Sequence, residues 1–220
     1  MKKISLVTLL ISIVMSVSAQ ETPSDSTNAW TTKGVSTLNF SQVSLENWAA
    51  GGENSYSLNG IFNVQANYKK DQTTWDNSLD VGYGIIKQGS RGVRKTDDKF
   101  ELTSKYGYKS SSNWYYSGMF SFKSQFDKGY KYNNDAGTKT EISKFMAPAY
   151  MFVSIGMDYK PNDKFTLLLS PITGKSTFVL DDSLSQSGAF VVDPGKNIRN
   201  EVGGFVKIAY NNEILKNVTL

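Results

Sequence analysis

Six charged side chains, Asp76, Asp80, Glu101, Lys105, Lys123 and Asp158, fall on the polar positions of alternating segments, where strand geometry could turn them toward one interior. Carboxylates facing ammonium groups can hold water, ions or a polar solute. They can also neutralise each other as cross-strand ion pairs, and this is the expectation for the polar interior of a strand-built protein. Two further stretches offer other chemistry. "KQGSRGVRKTDDK" gathers Lys87, Arg91, Arg94, Lys95 and Lys99, a basic cluster able to touch the phosphates of a surface glycolipid. Asp97 and Asp98 lie within it, and a solvated charged loop is the favoured reading. "LDDSLSQSG", residues 180–188, carries oxygen ligands for calcium but lacks the ligand spacing of an EF-hand, so a polar loop is expected there.

Catalysis has few routes. The 220-residue chain contains neither histidine nor cysteine. Imidazole acid–base chemistry, thiol nucleophiles, disulfides and the usual zinc and copper sites are thereby removed. No nucleophile elbow or Gly-rich phosphate loop stands out, and Gly51 and Gly52 suit turns. The protein is therefore read as a non-enzyme, with no catalytic, cofactor-binding or metal residue assigned and no cofactor expected. A hydrolase would need an unusual base such as Lys or Asp.

The elements that would position the charged groups follow from the N-terminus onward. Residues 1–19 read as a secretory signal, with Lys2 and Lys3, an apolar run from Ile4 to Val17, and small residues ending in Ala19. That run is short for a membrane span, and no other stretch approaches the roughly 18–20 apolar residues of a spanning helix. Without the two signal lysines the net charge falls from +4 to +2, too little to create a field for nucleic acid. No linker divides the remainder, so 20–34 is read as an N-terminal periplasmic segment and 35–220 as one β domain.

Within that domain, hydrophobicity alternates with period 2. Leu58, Phe62, Val64, Ala66 and Tyr68 oppose Ser57, Asn59, Asn63, Gln65 and Lys69, and Trp75, Leu79, Val81, Tyr83 and Ile85 oppose Asp76, Ser78 and Asp80. The same pattern predicts strands over 100–108, 114–126, 145–159, 165–171 and 202–210, after a first one over 35–43. Connections alternate between short (70–74, 109–113, 160–164, 211–216) and long (44–55, 87–98, 128–140, 173–200). Outer-membrane barrels segregate loop lengths in this way, with short periplasmic turns and longer outer loops. The short turns are flanked by Tyr68 and Trp75, Tyr108 and Trp114, Tyr159 and Phe165, and Tyr210. Rings gathered at one end suit a membrane–water interface, whereas ordinary cross-strand pairing explains only one turn at a time.

The expected fold is all-β: an antiparallel up-and-down transmembrane β-barrel with at least eight strands. Residues 217–220 read as a ninth strand needing a return, so the domain is expected to be C-terminally truncated, with ten or more strands in the complete protein. Phe120, Phe122, Val64 and Val153 are expected to meet lipid, and Ser121, Lys123 and Gln65 to line the interior.

The ordered stretches "WAAGGENSYSLNG", "WDNSLDVGYG", "SQFDKGY", "FMAPAY" and "LSPITGKSTFVLDD" resemble a Bacteroidetes envelope family known only as a domain of unknown function. The resemblance spans nearly all of the chain after the signal and implies an outer-membrane-like β-barrel, while supplying no activity, ligand or catalytic residue. Members of that family are longer, and this chain stops at Leu220 without the terminal aromatic of a finished barrel strand. The functional expectation is a Gram-negative outer-membrane protein acting as a small channel or as a structural or binding component of the envelope. Its expected partners are membrane lipids and surface glycolipid. The alternative is a soluble periplasmic β-barrel that binds an apolar ligand, and an outer-membrane enzyme ranks below both.

Overall fold

A computed structural model describes residues 13–18, 29–46, 51–133, 137–162, 164–210, 213–215 and 218–219. The alternating runs form long strands because one face of each is largely apolar, most clearly in β3 (Ser55–Lys70), β4 (Thr73–Gln88) and β6 (Trp114–Ser124); before and between them lie β1 (Ile13–Ser18), β2 (Trp30–Val43) and β5 (Arg94–Lys109). They continue with β7 (Gly129–Asn133), β8 (Thr138–Ser143), β9 (Ala149–Asn162), β10 (Phe165–Phe178), β11 (Ile198–Tyr210), β12 (Glu213–Leu215) and β13 (Val218–Thr219). One sheet runs β1-β2-β3-β4-β5-β6-β9-β10-β11, with β7–β8 and β12–β13 as separate hairpins. From β2 to β11 this is an antiparallel up-and-down sheet of eight strands. No ladder joins β2 to β11 among the described residues.

The register keeps like with like. Phe62 pairs with Val81, Leu79 with Leu102, Leu102 with Phe122, Phe120 with Val153, and Leu169 with both Met157 and Val206. On the other face Gln65 pairs with Ser78, Asp76 with Lys105, and Ser121 with Phe152. The sheet curls around this second face: a cavity of about 610 Å³ is bounded by Gln65 of β3 on one side and by Leu168 of β10 and Lys207 of β11 on the other. Between β9 and β10 the backbones approach so closely that a Cβ on Gly156 would run into the Leu169 carbonyl oxygen. The register shifts there, between Leu169 and Ile172, so glycine is required by a close approach beside a bulge.

Several strands exceed their sequence-predicted bounds. β2 begins at Trp30, so residues 30–34 belong to the sheet rather than to a preceding segment. The predicted long connection 87–98 shrinks to 89–93, because Ile85 and Ile86 pair with Lys95 and Arg94 across an irregularity at Gly84 that breaks the alternation. Likewise 173–200 shrinks to 179–197, because the polar run Thr173 to Thr177 still alternates and pairs with Ser154 to Tyr150. The apolar, β-branched segment Ile13–Ser18, read above as part of a signal, lies along the edge of β2 with Ile13 opposite Phe40 and Ser18 opposite Val35. The predicted cleavage point after Ala19 lies outside the described residues. Val218–Thr219 pairs with Glu213–Leu215, not with the main sheet, which corrects the expected ninth strand: the nearest partner in sequence captures it.

The segregation of connections survives these changes. Residues 71–72, 110–113 and 163–164 close one end, while 44–54, 89–93, 125–148 and 179–197 close the other. The long-connection end carries its own small core, in which Ala147, Val179, Leu184 and Val192 are buried with Ala189 and Phe190 against them. A one-turn helix, α1 (Asp182–Gln186), stands there where only loop was expected. Its first turn is capped by the Asp181 carboxylate, which accepts from the Leu184 N–H at 2.8 Å.

Candidate functional site: a charged concave face

All six charged residues singled out in the sequence lie on the concave face, and the structure sorts them into separate groups. Asp158 of β9 is 1% exposed. Its Oδ2 accepts from Lys105 of β5 at 2.7 Å and lies 3.6 Å from the Lys160 ammonium. Lys160 also reaches Asp76 of β4 at 3.9 Å. Since β5 and β6 separate β4 from β9 in the sheet, this link spans the hollow of the curl rather than following a ladder. The Lys160 ammonium also sits 5.4 Å from the centroid of the Tyr115 ring.

Toward the other end, Glu101 pairs with Lys123 at 2.8 Å and lies 3.8 Å from Lys99. Lys175 and Arg199 converge on Glu201 at 3.2 and 3.1 Å. Asp80 accepts from the Asn63 amide. These contacts match the neutralising role expected of the interior charges. A carboxylate as buried as Asp158 needs a cation beside it, since an unpaired charge there would cost several kcal/mol.

Sequence reading missed Lys160, which it placed in a turn. The signal was present: Asp158 and Lys160 share parity, and β9 continues to Asn162. It also missed Lys175, Glu201 and Lys207, which lie on parts of β10 and β11 hidden by polar composition or by the distance between neighbours in the chain.

Among the hollows on this face, two lie at mid-height, and a third of about 630 Å³ lies at the short-connection end around Asp76, Tyr115 and Lys160. The first contains Asp76, Lys105, Met119 and Lys207. The second, of about 640 Å³, lies between Glu101, Lys123 and Lys175 and the rings of Tyr150, Phe152 and Phe205.

The basic stretch does not assemble into an anion site. Arg91 pairs with Glu53, Lys95 donates to Asp98 and to the Asp127 carbonyl, Lys99 turns toward Glu101, and the Arg94 guanidinium lies 4.1 Å over the Tyr132 ring. Lys87 sits near the end of β4. The 180–188 stretch is equally committed, because Asp181 caps α1 and pairs with Lys144. The Lys144 ammonium and the Leu184 N–H hold the Asp181 carboxyl below the ordinary carboxylate range. Among the described residues no group of three or more carboxylates is placed to hold a metal ion.

The convex face has the opposite character. Leu38, Leu58, Phe62, Phe120, Val153, Ile155, Ile172, Val206 and Ile208 are all exposed. Rings collect at the short-connection end: Trp30 lies 5.2 Å from Tyr68 and 5.7 Å from Trp75, and Trp114 lies 4.8 Å from Tyr159. Tyr106, Tyr108, Tyr116 and Tyr210 are exposed at the same end. A second group marks the far end, where Phe100 contacts Phe122 and Phe126, and the Tyr83 hydroxyl donates to Asp127 at 3.1 Å. Among the described residues no helix is long and apolar enough to cross a membrane, which leaves crossing by strands open.

No curated protein and no solved structure matches the chain. Residues 40–130, from the end of β2 into β7, are similar to the family described as "Protein of unknown function (DUF3078)".

Proposed function

We propose that the chain is an outer-membrane β-barrel protein of a Bacteroidetes-type envelope, exported by its N-terminal signal. Its convex face meets lipid, and its charged concave face forms the wall of a lumen that passes or holds a solute. The observation carrying this reading is the exposed apolar band bounded by aromatic groups at both ends of the sheet. Tyr56 and Tyr68 mark those ends on β3, and twelve residues at about 3.3 Å each separate them by about 40 Å along the strand. At a tilt of roughly 35–45° that becomes about 28–32 Å of height, against an apolar band of about 25 Å flanked by aromatic girdles in such barrels. An exposed apolar band of this kind marks a face covered by a membrane or a partner rather than one left in water.

Fractionation and labelling test this. The chain is expected to stay with the envelope through salt and carbonate washes, to leave only with detergent, and to migrate on gels as a heat-modifiable band. On intact cells a cysteine at Gly92→Cys, in the 89–93 connection, should react with an impermeant reagent, while one at Ser111→Cys should not. Release by carbonate would favour the soluble periplasmic alternative, and labelling of Ser111→Cys alone would invert the orientation. Planar-bilayer conductance then separates an open lumen from a closed one.

A further inference from the structure

We infer that the second hollow, at the Glu101–Phe205 level of the concave face, binds a compact organic anion with an aromatic body. The inference deepens the reading of that face as a solute-holding lumen and rests on it.

The hollow measures about 640 Å³, within the range of small-molecule sites. Its composition departs from that of the first hollow. The first is lined mostly by Gln65, Asn67, Asn77, Thr103 and charged residues, with Leu168 and Met119 among them, whereas here Phe152 of β9 and Phe205 of β11 meet edge to face across β10, with centroids 4.8 Å apart and planes at 72°. Met119 and Tyr150 extend the same wall. Inward rings do not help a lumen hold water; they make a rigid platform for a flat apolar body.

The charge around that platform is unbalanced. Lys123 is neutralised by Glu101 and Lys175 by Glu201. Lys207, two residues beyond Phe205 on the same face of β11, lines both hollows and has no carboxylate within ion-pair distance among the described residues. An aromatic ring stacked on Phe152 and Phe205 would bring an attached carboxylate, sulfonate or phosphate to the Lys207 ammonium, the charge the wall leaves uncompensated. A cation of the same shape would meet three lysines at that rim.

Isothermal titration of the full chain in detergent tests this with three probes, each corrected for a titration into protein-free micelles. Naphthalene-2-sulfonate carries both features, methanesulfonate the charge alone, and 2-naphthol the body alone. Naphthalene-2-sulfonate should bind at least about tenfold more tightly than either fragment, and both Lys207→Gln and Phe152→Leu should weaken it by about tenfold. Equal binding of naphthalene-2-sulfonate and 2-naphthol would overturn the role of Lys207. So would an unchanged affinity in Lys207→Gln, an exposed position whose substitution leaves the sheet intact. The gel and carbonate assays on the same preparation separate the two readings. A chain released by carbonate that still binds in a Lys207-dependent way keeps the site and loses the membrane, whereas a membrane-held chain that binds none of the probes keeps the barrel and loses the site.

Discussion

Replacing Asp158 with asparagine preserves volume and removes the carboxylate that Lys105 and Lys160 share, leaving Lys160 only the longer contact to Asp76 at 3.9 Å. At an effective dielectric of about 20, the contacts at 2.7 and 3.6 Å correspond to about 6 and about 5 kcal/mol of attraction, before the desolvation that offsets most of it. Breaking a buried pair by deleting one partner costs about 3–5 kcal/mol, because the remaining charges stay buried without compensation. The Lys105 and Lys160 side chains retain 20% and 24% of their exposure and Lys160 keeps Asp76 at 3.9 Å, so the lower end applies. Asp158→Asn should therefore lose about 3 kcal/mol, read from guanidinium unfolding in lipid vesicles followed by tryptophan emission. Glu101→Gln is the control: Lys123 beside it is 55% exposed, and such a pair is worth about 1 kcal/mol or less. Adding Lys105→Met to Asp158→Asn should recover part of the loss by removing one stranded cation. If Asp158→Asn and Glu101→Gln cost the same, Asp158 faces bulk water and the cross-hollow network does not exist.

Three other outcomes follow from the geometry. Phe120→Arg on the convex face should cost about 2–4 kcal/mol in vesicles, while Gln65→Arg, which opens onto the 610 Å³ hollow, should cost far less; equal costs would remove the assignment of faces. Gly156→Ala should lower the unfolding midpoint and loosen the β9–β10 ladder, at about 1–3 kcal/mol or more for overpacking against backbone, and a neutral result would place the Leu169 carbonyl elsewhere. Because the Asp181 carboxyl titrates below its ordinary value of 3.8, its contribution is present above that value and fades as pH falls through the depressed one. Amide exchange at Leu184 should accelerate, relative to the intrinsic rate, in acid below pH 3.8 and in Asp181→Ala at neutral pH, and unchanged protection in both would dissociate the cap from the loop.

What the sequence revealed and hid has a common physical origin. β3 and β4 were legible because one face of each is almost wholly apolar while the other is almost wholly polar, so a period of 2 survives for the length of the strand. The outer halves of β10 and β11 were not. Thr173 to Thr177 and Ile198 to Glu201 are mostly polar on both faces, and their pairing is decided by neighbours already in the sheet rather than by their own composition. β5 was shortened for a different reason: the irregularity between Gly84 and Ile85 shifts the register and inverts the parity of the residues beyond it. The charged site was legible as a face but not as a set of contacts. Parity placed Asp76, Lys105 and Asp158 on one side, yet the approach of β9 to β4 depends on how far the sheet curls, which no local pattern encodes. The basic stretch shows the converse, since its cations are adjacent in sequence and leave for separate partners once Glu53, Asp98 and Tyr132 arrive from other elements.

The two edges of the sheet bring these observations into one constraint. β2 offers a row of backbone donors and acceptors on its outer side, and β1 uses those from Val35 to Phe40. β11 offers a second row on its free side, and its direction is antiparallel to that of β2, because seven antiparallel ladders link the first and eighth strands and each reverses the direction. In water both rows can be hydrated. In hydrocarbon each unsatisfied group costs several kcal/mol, so a membrane-held sheet must either pair its edges or recruit another strand. The groups of β2 between Val35 and Phe40 cannot serve β1 and β11 together. If residues 13–18 leave with an export signal, the edge they cover becomes available to β11 at the moment the chain reaches the compartment where closure is needed. On that proposal the two roles of the segment would be compatible: it would address the chain for export, and while attached it occupies the edge of β2 at which the sheet would otherwise pair with itself or with a second copy.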